Sequence, residues 1–297
     1  MTRTVVVVNP AADGGRTERR WRDLRDDLGR LGLTFDWSLT TGPGSAILLA
    51  GAAAEAGADL VVAVGGDGTL NEVINGITRH EARRPTVGAL LTGRGRDAAR
   101  NLGLAAEPRA AARRLVEGAD VHVDLVRADW PDGTRRYLVG AAGAGFDAAV
   151  ARRVAAGGGR GTLPYLRAVV TTLSAHATVA AAIEADGARA WAGRLSTAVV
   201  ANGAHYGGGM KIAPAAAVAD GLLDLVVVGD LGRLELLRWL PRVYRGGHLA
   251  NPKVVTQRAR RVTIQPAAPL PVHVDGEAAP DTPVTFVICP GALRLRR

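Results

Sequence analysis

Asp67 is the residue around which chemistry can be built. It stands in Gly65-Gly66-Asp67-Gly68-Thr69, a lone carboxylate bracketed by glycines. Glycines let a backbone approach a ligand where a Cβ would block it. Backbone N–H groups left free beside a helix start bind phosphate. A carboxylate opposes phosphate unless a metal lies between them or it takes a proton from an attacking hydroxyl. With Asn71-Glu72 directly behind it, the run points to phosphoryl chemistry rather than to a plain tight turn. The six histidines and the single cysteine, Cys289, show no zinc spacing.

The elements that must position Asp67 follow from periodicity. Leu60 to Val64 is a short apolar run of the kind a buried parallel strand needs. After the glycines, Leu70, Val73, Ile74 and Ile77 recur at helical spacing, and Thr69 is suited to cap that helix. Strands are expected at Thr4–Val8, Leu33–Leu39 and Pro85–Leu91, with helices at Arg19–Leu31 and Ala46–Ala56. Alternating strands and helices predict a parallel sheet covered on both faces, with ligands at the carboxyl ends of its strands. From about Val121 the pattern changes. Val121–Val126, Arg136–Ala142, Thr178–Ala185, Leu195–Asn202, Leu223–Val228, Arg261–Gln265, Leu270–Val274 and Val284–Ile288 read as strands joined mostly by Gly, Pro, Asp or Asn turns, which suggests a β-sandwich. Leu231–Gly246 reads as a leucine-rich helix, and another helix is expected near Leu163–Leu173.

Gly65 to Val73 resembles the nucleotide-binding signature of the diacylglycerol kinase and sphingosine kinase catalytic family. NAD kinases and phosphofructokinases share its core more distantly. The resemblance spans essentially the whole chain, including Asn9-Pro10, Thr40-Thr-Gly-Pro-Gly-Ser-Ala46, Gly143–Asp147, the glycine-dense Asn202–Pro214 and Asp275-Gly-Glu277. It implies an α/β nucleotide-binding domain over residues 1–122, to which the tail 289–297 returns. It also implies an all-β sandwich over 123–288, with the active cleft between the two domains. The implied activity is ATP-dependent phosphorylation of a hydroxyl on a lipid such as diacylglycerol, with Mg²⁺. The other readings are a kinase for a soluble hydroxylated metabolite and a nucleotide- or lipid-binding relative without turnover.

Carried over residue by residue, the nucleotide side comprises Asn9, Thr40, Gly65, Gly66, Asp67, Gly68, Thr69, Asn71 and Gly93. Arg94 and Arg96 replace the threonine and asparagine usual in Gly-Thr-x-Asn-Asp, and bidentate phosphate contacts are open to them. The implied metal ligands are Asp220, with Leu222 and Ala217 through their main chains, together with Asp97 and Asp124. Asp220-Gly221 taken without its neighbours reads better as a type I′ turn. Glu277 is the implied catalytic base, assisted by Asp67, whereas His273 alternates with that face and reads as a core or surface residue. Asp13 stands where glycine is more usual, and there it would oppose phosphate unless it points to solvent. The helices Leu231–Gly246 and Leu163–Leu173 are candidates to shape an acyl-chain entrance, and core packing explains the same leucines.

The bulk composition sets the outer limits. At 297 residues with 47% hydrophobic content, the chain is long and apolar enough for one large or two modest globular domains. One cysteine excludes an internal disulfide and fits a reducing compartment. Thr4–Val8 is too short for a signal-peptide core, and Ser45–Val64 is interrupted by acids, so a cytoplasmic protein is expected. The net charge of +9 is compatible with peripheral contact with an anionic membrane at its inner face. Few aromatics and no recognisable module argue against nucleic acid. A homodimer is compatible with the sequence.

Overall fold

The computed structural model describes residues 2–79, 84–93, 95–157 and 162–297. The chain forms two units, Met1–Leu125 with Pro290–Arg297, and Val126–Cys289. The first unit runs β1 (Thr4–Val8), α1 (Arg16–Arg30), β2 (Phe35–Leu39), α2 (Ser45–Glu55), β3 (Leu60–Gly65), α3 (Asp67–Ile77), β4 (Thr86–Leu91), α4 (Asp97–Leu102) and α5 (Pro108–Glu117). β2, β1, β3 and β4 lie side by side in that order, all parallel. The last strand of the chain returns beside β4 through Leu295, paired with Val87.

Parallel strands need both faces covered, and this sequence supplies two sets of apolar residues to do it. Val6, Val8, Val62, Val64 and Leu90 pack against Trp21, Leu24 and Leu28 of α1 and Leu115 of α5. Val7, Val61 and Ala63 alternate with them and are also fully buried. α2 and α3 pack against each other and against β1 and β3. Because the chain leaves β1 in one direction and comes back to β3 on its other side, the loops after β1 and β3 meet at a topological switch point.

The second unit begins within β5 (Asp120–Asp129) and continues through β6 (Arg135–Leu138), β7 (Ala141–Gly145), α6 (Phe146–Ala156), α7 (Thr162–Ser174), β8 (Val179–Ala185), β9 (Ala188–Ala201), β10 (His205–Tyr206), β11 (Met210–Lys211), β12 (Leu223–Gly229), α8 (Arg233–Val243), β13 (Val254–Ala259), β14 (Arg261–Pro266), β15 (Val272–Val274) and β16 (Glu277–Ala279), ending in β17 (Val284–Arg296). The pairings are antiparallel. β9 is the organising strand: its first half pairs with β8, and its second half runs between β7 and β12. Ile183, Leu195, Val200, Leu225, Val272 and Phe286 form the centre of the sandwich core.

Three departures from the sequence reading have physical causes. The run Arg136–Ala142 is broken into β6 and β7 because the N–H groups of Val139 and Gly140 bond the Asp275 carboxylate instead of a neighbouring strand. β13 is not among the expected strands: it pairs with β12 alone and keeps most of its side chains exposed, so its sequence is largely polar. α6 is an addition to the two helices expected in this unit: its Phe146 and Val150 bury themselves against Val169 and Leu173 of α7 and Leu236 and Leu240 of α8.

α3 crosses α2 at close range. A Cβ added at Gly76 would lie 2.4 Å from the Ile47 carbonyl oxygen and 2.8 Å from the Ala50 Cβ. Gly76→Ala should therefore destabilise the protein by about 1–3 kcal/mol despite alanine's better helix propensity. Urea unfolding tests this, and an unchanged or raised midpoint would contradict the close crossing.

Candidate active site

In the first unit the expected nucleotide-side residues converge at the switch point. Asn9 N–H donates to the Val64 carbonyl at 2.9 Å, Thr40 N–H to Val8 at 2.8 Å, and Thr92 N–H to Gly65 at 2.8 Å. These bonds bring the ends of β1, β2, β3 and β4 to one edge. Thr69 does not cap α3, because the helix already begins at Asp67, with Gly66 as its cap residue. Thr69 is buried in the first turn instead, and its hydroxyl accepts a 3.0 Å hydrogen bond from Asn9 Nδ2. A Cβ on Gly65 would meet the Thr69 Oγ1 at 2.4 Å, so the packing of Thr69 itself requires this glycine. Gly66 has nothing within 4 Å of its would-be Cβ and faces open space.

The motif's neighbours are largely structural. Glu72 accepts from the N–H groups of Gly44 at 3.0 Å and Ala46 at 3.1 Å, capping α2 and tying the loop after Thr40 to α3. Asn71 takes bonds from Asn75 Nδ2 at its carbonyl and its side-chain oxygen. Asp67 Oδ2 accepts from the Asp97 N–H at 3.1 Å, which links the two acidic loops. Asp97 Oδ1 in turn accepts from Arg100 at 2.7 Å.

Arg94 lies outside the described residues. Arg96 adopts φ 54° as the residue before α4 and donates from Nε to the Gly93 carbonyl at 3.2 Å. Asp13 does not point to solvent, the arrangement that would have kept it from opposing phosphate. Its carboxylate is almost covered and lies 3.5 Å from Arg20 and 3.9 Å from Arg16, so its charge is offset locally. Asp124 is buried and accepts from the Gly291 N–H at 2.7 Å.

In the second unit a cavity of about 140 Å³ opens beneath α8. Its walls are apolar: Val150, Met210, Leu236, Trp239, Leu240 and Val243 contribute, so the leucine-rich helix does line a cavity. One end is polar, with Asp147, Thr197, Tyr206 and His273 in the lining. His273 is buried, and its Nε2 lies 3.1 Å from Asp147 Oδ2. The Gly276 N–H donates to His273 Nδ1 at 3.3 Å, which puts the ring proton on Nε2, donated to Asp147. Thr197 donates to Asp147 Oδ1 at 2.5 Å, and Tyr206 stacks on the imidazole with ring centroids 5.7 Å apart. Gly207, Gly208 and Gly209 all have positive φ and turn the β10–β11 hairpin that presents Tyr206 and Met210. The sequence reading missed this Asp147–His273 pair. Its only trace was the match around Asp147, to which no role could be attached.

The hairpin carrying Glu277 is fixed by its neighbours. Asp275 and Gly276 have φ 48° and 83° and close a two-residue turn between Val274 and Glu277. Asp275 spends its carboxylate on the N–H groups of Val139, Gly140 and Ala141, at 3.0–3.1 Å. It is thereby a strut of the turn. Asp220, by contrast, has no positive φ, so Asp220-Gly221 is not a type I′ turn. Its Oδ1 accepts from Leu222 N–H at 3.1 Å and its Oδ2 takes the Arg258 guanidinium. Asp224 beside it is pushed up by burial, with Arg258 opposing and Asp220 adding to the shift. Mg²⁺ needs open, hard oxygen ligands. With Arg258 bonded to Asp220, a cation held by Asp220 and the main chains of Leu222 and Ala217 would have to displace that half-exposed arginine. Among the described residues no cluster of three or more His, Cys, Asp or Glu side chains suits a metal.

Comparison with known proteins assigns a family to each of the two units. Residues 3–128 match the diacylglycerol kinase catalytic domain. Residues 140–297 match the YegS C-terminal NAD kinase beta sandwich-like domain. The chain belongs to the diacylglycerol kinase and YegS-like lipid kinase family. It is accordingly a phosphotransferase with a hydroxyl group as acceptor. A Mycobacterium tuberculosis protein named diacylglycerol kinase is 32% identical over 254 residues, covering 84% of this chain and 80% of the relative. A Xanthomonas euvesicatoria protein named as a probable YegS-like lipid kinase is 32% identical over 285 residues, 92% and 91% of the two chains. Two solved structures share the fold. A Bacillus anthracis diacylglycerol kinase superposes with a TM-score of 0.74 at 20% identity, covering 99% of this chain and 96% of its own. An Archaeoglobus fulgidus NAD kinase in complex with ATP gives 0.54 at 15% identity, over 100% and 94%.

Two histidines of the second unit make stability depend on pH. Burial, as the main cause, holds His248 below its ordinary 6.5, with the Ile212 carbonyl pulling the other way. Burial likewise depresses His176, with the Leu231 backbone opposing. Both regain the ordinary value on unfolding, so the unfolded chain binds more protons once pH falls through about 6.5. Their contribution is fully present above that pH and is lost as pH falls below it. The thermal midpoint should drop between about pH 7.5 and about pH 5.5, and His248→Gln should shrink the drop. An equal drop in the variant would contradict the assignment.

Proposed function

We propose that the enzyme transfers the γ-phosphoryl group of ATP, taken up as its magnesium complex, to the hydroxyl of a diacylglycerol-like lipid. The observation that carries this reading is the cavity under α8, apolar along its walls and polar at the end lined by His273 and Gly276. An acyl chain gains from leaving water for such walls by about 0.8 kcal/mol per methylene. A soluble polyol would gain nothing there.

In this reading Glu277 is the base. It follows directly on Gly276, which lines the polar end of the cavity, and Asp275 is already engaged by three N–H groups. The acceptor hydroxyl gives its proton to the Glu277 carboxylate, its oxygen bonds to the γ-phosphorus, and the bond from that phosphorus to the β–γ bridging oxygen breaks to release ADP. The Asp147–His273 pair offers a hydrogen-bonding partner for the glycerol end. On the nucleotide side, the open space at Gly66 and the start of α3 suit phosphate oxygens. Asp67 serves to place the magnesium-bound phosphates, and Arg96 is a candidate phosphate ligand.

Glu277→Gln keeps the size of the side chain and removes its basicity. The variant should lose about 10²–10⁴-fold in kcat, the usual worth of a general base, while calorimetry finds ATP binding unchanged. Activity close to wild type would overturn the base assignment.

A further inference from the structure

α8 carries apolar residues beyond the face that lines the cavity, and these the core does not use. Leu236, Trp239, Leu240 and Val243 turn inward and line the cavity. Leu234 is 83% exposed and Leu237 50% exposed, with Tyr244 at 48% just past the helix end. At 100° per residue Leu234 lies across the helix from the cavity-lining set, while Leu237 and Tyr244 lie on its flank, roughly 90–110° from that set's centre. Arg233, Arg238, Arg242 and Arg245 are exposed along the same segment, and Arg242 stacks over the Trp239 ring at 4.3 Å. The helix's one acid, Glu235, is neutralised by Lys253 at 2.9 Å. Exposed leucines flanked by arginines and aromatic rings are the composition of a helix that lies in a lipid interface.

We infer that the outer face of α8 docks on an anionic bilayer, with Leu234 and Leu237 entering the acyl boundary and Arg238 and Arg245 pairing with lipid phosphates. Charge complementarity selects a lipid surface over a second copy of this strongly basic chain, which carries +9 overall. Continuity adds to it: one short helix has the bilayer on one face and the cavity on the other, so a lipid drawn past it enters from the membrane side. The inference rests on the reading of that cavity as a lipid site, but docking can be measured without turnover.

The test is co-sedimentation with vesicles of phosphatidylcholine alone or mixed with phosphatidylglycerol. Wild type should bind the mixed vesicles, bind neutral ones far less, and release with salt. Leu234→Glu/Leu237→Glu and Arg238→Glu/Arg245→Glu should each weaken binding at least about tenfold, because either the inserted area or the charge attraction is lost. Both should keep wild-type circular dichroism and wild-type turnover of water-soluble dioctanoylglycerol. Leu234→Ser/Leu237→Ser, a milder pair, should show the same loss if the glutamate pair misfolds. Absence of binding to anionic vesicles, or equal binding by the variants, overturns the docking face. Binding by a protein that phosphorylates no lipid would overturn the acceptor reading and leave the docking face standing.

Discussion

The contact between Thr69 and Gly65 is the constraint on which the first unit's ligand loop depends. Thr69 can occupy the first turn of α3 only because Gly65 has no Cβ, and its hydroxyl then receives the Asn9 side chain. That hydrogen bond ties the loop after β1 to the loop after β3 at the place where strand order reverses. Thr92 bonds the Gly65 carbonyl, and Glu72 reaches the start of α2. The ends of β1, β3 and β4 and the start of α2 are thus locked by short polar contacts. Gly66 and Asp67 stay presented at a helix start, where partial positive charge favours an anion.

The second unit solves a different problem, which is to place the Asp147–His273 pair at the edge of an apolar cavity. Asp275 supplies the anchor. It spends its charge on the backbone between β6 and β7, which breaks that strand but fixes the turn preceding Glu277. His273 extends the arrangement by bonding Asp147 on one side and receiving Gly276 on the other. Asp275 bonds three backbone N–H groups and Asp220 bonds Arg258, and the base role proposed here belongs to Glu277, the residue that follows the Asp275-Gly276 turn. α8 completes the unit by walling the cavity with one face while showing leucine and arginine on the other.

The nucleotide half was legible because parallel strands advertise themselves. Val6 to Val8, Leu60 to Val64 and Thr86 to Leu91 are apolar runs, and a strand–glycine–helix junction has few other uses. Helix starts were less legible, since Thr69 carries a capping residue's chemistry and yet sits inside the turn. The sandwich was readable as a class but not in detail. β13 is an edge strand with a polar sequence, and β6 and β7 read as one run until the Asp275 contact is known. The Asp147–His273 pair joins residues more than 120 positions apart, a proximity no local pattern encodes. The same holds for Arg258, which bonds the Asp220 carboxylate that the resemblance marks as a metal ligand.

The claim that an acyl chain fills the cavity under α8 is tested most directly by a chain-length series. kcat/KM would be measured on monomeric, water-soluble acylglycerols of increasing length, with glycerol as the zero-length reference. Each added methylene should raise kcat/KM by up to about fourfold, following about 0.8 kcal/mol of transfer energy, until the cavity is full and the series levels off. A profile flat from glycerol upward would mean that the apolar walls take no part in acceptor binding, and the lipid assignment would fall with it.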